Sequence, residues 1–241
     1  MKRNSILHRL WNNAVPPFIR DNEKLFRFLC TTQQISPKLV DLVIDFRRKH
    51  HALTHAEYNL YYEKLSHLIP YTPKSSYIGN HGLNFILDYA KKNSQLKSFF
   101  DCSCGGGGLT FKLSEAGKMA TGMDIVLNES LKNSTDATFV EGDILNIPFE
   151  DNSFDVVISC HTLEHIIKIQ DAVAELRRVS NHTLIIIVPC QRESKYTLDF
   201  HVHFFPYAES FHRIMGNPNA KCFYLDGDIL YIEEDVHYET N

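Results

Sequence analysis

Apolar residues in KLVDLVIDFRRKH recur at helical spacing, with Leu39, Val40, Val43 and Ile44 on one face, Ser36-Pro37 ahead of them as N-cap and first turn, and basic residues in the last turn. The spacing predicts a helix. A second is predicted from Thr54, where THAE sets Glu57 three residues after a threonine, through the tyrosine-rich EYNLYYEKLSHL to Pro70. Pro70, Pro73 and Gly79 then interrupt the pattern, so YTPKSSYIGN reads as a joint. Residues 1–78 are accordingly expected to form an amino-terminal helical cap and 79–241 a second region.

In that second region helical and extended patterns alternate. LNFILDYAKK is helical by spacing, LKSFFDC extended, LTFKLSEAG helical up to Gly117, and KMATGMD and DATFVEGD extended. FDVVISC reads as a strand, HTLEHIIKIQDAVAELRRVS as one long helical stretch, and HTLIIIVP as a strand buried on both faces, because its β-branched run is unbroken. This order predicts an α/β fold with a parallel sheet covered by helices on each side. FFPYAESFHRIM contributes a last helix, and KCFYLDGDILYIEED a closing antiparallel hairpin turning near Asp226-Gly227.

Composition narrows the function classes. Hydrophobic residues at 44% and charged residues at 22% fit an ordinary globular protein and argue against disorder. A formal charge of -4 gives no footprint for nucleic acid, which is not expected as a partner. No window reaches transmembrane length, and MKRNSILHRLWNN has no apolar stretch of signal-peptide length, so the expected location is cytoplasmic. Six cysteines without a C-x-x-C pair read as reduced, buried thiols; Cys102 and Cys104 alternate across a strand end and read as pocket-wall residues.

The run FFDCSCGGGG lies where the first strand of an open parallel sheet supplies its ligand-binding turn. Glycines there let the backbone approach a ligand, and the amides opening the next helix are expected to face an anionic group. Apolar strand and helix flank the run directly, which argues against a linker. A dinucleotide G-x-G-x-x-G starting at Gly105 would need glycine where Thr110 stands. Asp124 ends the second strand, where an acid can accept both hydroxyls of a ribose, and Asp143 follows the third.

GDILNIPFEDNSFDVVISCHTLEH followed by AELRRVSNHTLIIIVP resembles the class I S-adenosylmethionine-dependent methyltransferases, especially small-molecule methyltransferases related to ubiquinone-biosynthesis enzymes, over roughly residues 80 to 216. The resemblance implies a Rossmann-like, doubly wound, mostly parallel sheet of seven strands and S-adenosyl-L-methionine as cofactor. It implies that Asp101 starts the cofactor turn, with Ser103, Gly105 and Gly107 in its small-residue places beside Cys104. Ser103 departs from the usual glycine, a replacement that serves where φ stays negative. By the same resemblance Asp124 holds the ribose hydroxyls and Asp143 the adenine amino group, Ile125 and Ile144 pack on the base, and Cys160 and His161 line the methionine end. The helix after Asp124 is expected to be cut to a turn or two in VLNESLKNST.

His161 to His165 spell H-x-x-E-H, formally an inverted zinc-peptidase signature with two histidines one helical turn apart. Some ubiquinone-type O-methyltransferases bind a divalent cation through a similar stretch, which makes His161, Glu164 and His165 a candidate cation set. Local packing of Glu164 and His165 is the favoured alternative. His201 and His203, if extended, point the same way, and one could serve as general base. Tyr58, Tyr61, Tyr62 and Tyr77 are candidates for a lid, with core packing the commoner role of aromatics at helical spacing.

The expected activity is methyl transfer to an oxygen or nitrogen of a small-molecule, glycan or lipid-type acceptor, with His161 the first candidate base and His203 the second. A noncatalytic cofactor-binding regulatory protein and, more remotely, a metallopeptidase are the alternatives. The sequence does not give the oligomeric state.

Overall fold

A computed structural model of the chain describes residues 15–68, 72, 74–75, 78–198 and 200–235. Tyr77, one of the four lid candidates, lies outside the described residues, as does MKRNSILHRLWNN. Compactness divides the chain into one unit of residues 1–70 with 191–206 and another of 71–190 with 207–241. The division differs from the change of sequence texture near residue 78 because the segment after the fifth strand packs with the early helices.

The helical unit contains α1 (Pro17–Arg20), α2 (Glu23–Thr32), α3 (Pro37–Lys49) and α4 (His55–Leu68). On α3 the four residues predicted to share a face are all buried. Ser36 occupies the N-cap position, but its side chain makes no capping bond. The capping box ahead of α4 closes: Glu57 Oε2 accepts from the Thr54 amide at 2.8 Å, and the Glu57 amide donates to Thr54 Oγ1 at 3.3 Å. Phe46 is wholly buried, 4.5 Å from Phe200 by ring centroids. Tyr58 and Tyr61 are core residues here, their hydroxyls donating to Phe200 O and Asp45 Oδ2. Arg47 fixes the returning segment by donating to the carbonyls of Ser194, Lys195 and His201 at 3.0, 2.9 and 2.6 Å.

The larger unit is built on a seven-stranded sheet in the order β3-β2-β1-β4-β5-β7-β6. Its strands are β1 (Ser98–Cys102), β2 (Met119–Asp124), β3 (Thr138–Glu141), β4 (Phe154–Cys160), β5 (Ser180–Pro189), β6 (Lys221–Leu225) and β7 (Asp228–Glu234). β1 to β5 run parallel, and β7 pairs antiparallel with both β5 and β6. The expected β6–β7 hairpin is present, with Asp226 at φ 47 and Gly227 at φ 88. Positive φ at both central positions twists a two-residue turn to match the strands, which is why Asp-Gly marks it. The helices are α5 (Asn80–Lys92), α6 (Gly108–Glu115), α7 (Glu129–Lys132), α8 (Ile169–Val179) and α9 (Ala208–Met215). Ile86 and Ala90 of α5 and Leu109 and Leu113 of α6 bury Phe99, Val156, Ile158, Ile185 and Ile187 in one hydrophobic core. The unbroken apolar run of β5 is buried from Leu184 to Val188, as expected of a central parallel strand.

Near the site one element forms as expected and one differs from the sequence pattern. The short helix expected after Asp124 is α7, a single turn capped by the Asn128 side chain. The single helix expected over residues 161–180 is split: Leu163–His165 form a 3-10 turn and α8 begins only at Ile169. His161, at φ 54, cannot open a right-handed helix, and Ile166 is extended. Among the described residues no helix is long and apolar enough to cross a membrane.

Candidate active site

The carboxyl ends of β1, β2 and β4 meet where strand order reverses between β1 and β4, the place at which open α/β sheets bind ligands. Asp101, near the end of β1, is 3% exposed and accepts a 2.7 Å hydrogen bond from Thr110 Oγ1. Burial, reinforced by the Asp124 charge, pushes its carboxyl up to about 6. Beyond it the chain makes a tight turn, with Cys104 donating to Met123 O at 2.9 Å and Gly107 to Cys104 O at 2.9 Å.

The glycines of this turn serve two physical ends. Gly105 and Gly107 have φ values of 54 and 77, which glycine adopts without strain. Gly106 and Gly108 are small because Thr72, Lys74 and Ser75 form a strap directly over them. A Cβ on Gly106 would run into Thr72 O, and one on Gly108 would lie 2.7 Å from Ser75 O. This strap is joined by main-chain bonds: Lys74 donates to Gly106 O at 2.7 Å, and Gly108 donates to Ser75 O at 3.0 Å. The expectation that the amides opening α6 face an anionic group therefore fails at Gly108, whose N–H the strap takes. Ser103 does not keep a negative φ. It sits at φ 67, a left-handed conformation that costs a serine what glycine would avoid.

Asp124 ends β2 at 7% exposure, and burial raises its carboxyl. Oδ2 accepts from the Gly105 amide at 2.8 Å and Oδ1 from the Val126 amide at 3.3 Å, so this residue also ties the β1 turn to the β2 turn. Ile125 beside it is 38% exposed, an apolar surface at the rim, whereas Ile144 is already 5% exposed. Asp143 is half-buried, with Oδ1 accepting from the Leu145 amide at 2.9 Å.

At the end of β4, burial followed by the charges of Asp101, Asp228 and Glu164 drives the Cys160 thiol well up. Burial does the same to Cys102 and Cys104, which keeps all three protonated and unreactive. His161 sits at φ 54, its amide N–H donating a hydrogen bond to Ile187 O at 2.8 Å. Its side chain is almost wholly buried, with Nδ1 3.6 Å from Glu164 Oε1 and Nε2 3.4 Å from Asp228 Oδ2. His165 Nε2 lies 3.9 Å from the same Glu164 oxygen. With no α-helix over 161–165, the two histidines are not one helical turn apart, and the geometry behind the peptidase signature is absent. His203, the second base candidate, belongs to the helical unit, where its ring stacks on Phe205 at 6.3 Å. No strand forms over residues 201–203, and His201 is buried with Nδ1 2.9 Å from Gln191 Oε1.

Left-handed non-glycine residues gather here: Lys74 in the strap, Ser103 after β1 and His161 after β4. Such strain is found at functional sites and also in turns, as at Asp226 in the β6–β7 hairpin. Sequence reasoning did not single out Thr110, Asp228, Glu175 or Arg178. Asp228 was hidden because it enters from the last hairpin. Glu175 and Arg178 stood inside the quoted AELRRVS without a role.

Residues 100–187 match a family model described as a methyltransferase domain. Over 151 residues the chain is 27% identical to an uncharacterized protein of Methanocaldococcus jannaschii, covering 61% of this chain and 63% of that protein. Over 88 residues it is 30% identical to a sterol 4-C-methyltransferase of Caenorhabditis elegans, covering 33% of this chain and 26% of that one. The matched regions thus span less than two thirds of either relative. A solved protein of Pyrococcus horikoshii OT3 shares the fold, with a TM-score of 0.53 at 17% identity over 71% of this chain and 98% of that one.

Proposed function

We propose, from the premise that residues 100–187 are a methyltransferase domain of the class I, S-adenosylmethionine-dependent family, that this protein transfers a methyl group to an oxygen or nitrogen of a small-molecule acceptor. The observation that carries the reading is the placement of Asp101, Asp124 and Asp143 at or just beyond the carboxyl ends of three adjacent parallel strands, beside the sheet's reversal point. The residues fit the cofactor: Asp124 offers two oxygens to a ribose diol, Ile125 offers exposed apolar surface to a base, and the turn at Ser103 to Gly107 brings main chain close. When bound, S-adenosylmethionine supplies an already electrophilic sulfonium methyl.

The chain then has to hold the acceptor in line, exclude water and take a proton where the acceptor is a hydroxyl or an ammonium. Asp143 receives the adenine amino group, with Ile144 behind it, and Cys160 and His161 form the methionine end. His161 serves as the base, with a carboxylate oxygen beside each ring nitrogen, Glu164 Oε1 at 3.6 Å from Nδ1 and Asp228 Oδ2 at 3.4 Å from Nε2.

Two outcomes are expected. Asp124→Ala weakens binding of S-adenosylhomocysteine by about 1.5 to 3 kcal/mol, the scale of a lost charged acceptor, and unchanged affinity by calorimetry would remove the ribose assignment. In a screen of hydroxyl and amine acceptors with labelled S-adenosylmethionine, His161→Ala lowers turnover about a hundredfold or more while cofactor affinity stays near the wild-type value, and chelators change nothing. Loss of turnover on chelation, restored by Mg²⁺ or Zn²⁺, would instead assign His161, Glu164 and His165 to a cation. Cofactor binding without turnover on any acceptor would favour the noncatalytic reading.

A further inference from the structure

Glu175 and Arg178 lie three residues apart on α8, on the same face of the helix. They form a forked ion pair, Arg178 Nε to Glu175 Oε1 at 2.7 Å and Nη2 to Oε2 at 2.8 Å. The pair does more than close on itself. Glu175 Oε2 accepts from the Ile147 amide at 2.9 Å, and Arg178 Nη2 donates to the Ile147 carbonyl at 2.9 Å, so one residue of the loop is gripped by both its main-chain groups. Nη1 donates to Phe149 O at 2.7 Å and to Asp151 Oδ1 at 3.0 Å. All five guanidinium N–H groups are thereby used. The loop returns a bond of its own, the Asn152 amide donating to Arg178 O at 2.8 Å.

What these bonds hold is the segment that carries Asp143 and Ile144. The Asp143 carboxylate is set by the Leu145 amide, the Asn146 amide donates to Asp143 O at 3.0 Å, and Ile147, the gripped residue, is buried. Upstream, the Gly142 amide donates to Asp124 O at 3.0 Å. The segment is therefore fastened at β2 on one side and at α8 on the other, with Asp143 between. Arg178 also draws the Glu175 carboxyl below its ordinary range, which keeps the fork charged at neutral pH.

We infer that Glu175 and Arg178 are positioning residues for the adenine end of the cofactor site, acting through the 147–152 loop to fix the Asp143 carboxylate against the base. The inference rests on the cofactor reading above. A lysine at 178 keeps the charge but cannot make the planar fork or reach three loop atoms together.

The test measures binding of S-adenosylhomocysteine and of its hypoxanthine counterpart, S-inosylhomocysteine, by calorimetry, with folding checked by thermal melts. Wild-type protein should prefer the adenine form, because a carboxylate accepts from an amino group and repels the 6-oxo group. Arg178→Lys and, separately, Glu175→Gln should each lower affinity for S-adenosylhomocysteine about tenfold and narrow the adenine-over-hypoxanthine ratio. A purely structural pair would reduce both affinities equally, so an unchanged ratio in both folded variants would overturn the inference and leave the cofactor reading standing. Wild-type protein that binds neither ligand would overturn the cofactor reading, and this inference with it.

Discussion

Glu233→Ala lowers the stability of the larger unit by about 3 kcal/mol, the low end of the cost of breaking a buried ion pair. Its carboxylate is 4% exposed and receives Arg177 on both oxygens, the shortest bond being 2.8 Å from Nη2 to Oε2. The same Oε2 accepts from the Tyr231 hydroxyl at 2.6 Å, and Arg177 Nη2 also donates to Met215 O at 2.6 Å. The Arg177–Glu233 pair thus joins α8, the end of α9 and β7. Burial pulls Arg177 down, but the bonds and charge of Glu233 outweigh it and leave the guanidinium raised. Removing Glu233 leaves that cation without its counter-charge and the Tyr231 hydroxyl without its acceptor. Arg177 keeps 29% of its surface, which is why the low end of the range applies. For a chain of this size the loss corresponds to roughly 6 to 12 °C in Tm. The double variant Arg177→Met with Glu233→Leu should recover most of it, since a packed apolar pair carries no desolvation penalty. Calorimetric melts decide the point, and a drop of less than about 1 kcal/mol for Glu233→Ala would refute it.

Asp101→Asn has the opposite sign at neutral pH. With the folded carboxyl raised to about 6, chiefly by burial, the folded protein holds its proton more tightly than the unfolded chain, in which an aspartate titrates near about 3.9. Wild-type stability from this group is fully present below about pH 4 and is lost as pH rises through about 6. The loss amounts to about 2 to 3 kcal/mol. Asparagine cannot ionise and still offers Thr110 an oxygen, so the variant should match wild type near pH 4 and exceed it by about 2 kcal/mol at pH 7.5, while cofactor affinity falls. Urea denaturation of both proteins at the two pH values measures the difference. A variant less stable than wild type at pH 7.5 would show that Asp101 contributes attraction rather than strain.

Much of this architecture was legible because its signals are local. The apolar run Leu184 to Val188, the Asp226-Gly227 turn and the Thr54–Glu57 box each encode a structure within a few residues, and each forms as read. The glycine turn of the candidate site was legible in its type but not in its detail. Four consecutive glycines announce close approach, yet nothing in the run says that two of them answer to φ and two to a crossing strap. His161 to Val179 carries helical periodicity throughout, yet the left-handed backbone at His161, which bonds across to Ile187, and the extended Ile166 break it before Ile169. Arg47 and Lys195 stand 148 positions apart, a pairing that no window of pattern reveals.

β7 is the last strand of the sheet in sequence, yet it fills the gap between β5 and β6. Its residues Ile229, Leu230 and Tyr231 are wholly buried. During synthesis β5 is complete at Pro189, while the strand that covers its open edge begins only at Asp228. At about 5 to 20 residues per second the ribosome leaves that apolar edge unpaired for a few seconds. A nascent chain in this interval presents a ten-residue, largely apolar strand to any other chain nearby, which makes the hairpin the natural point of chaperone dependence and the place where slow translation would promote aggregation.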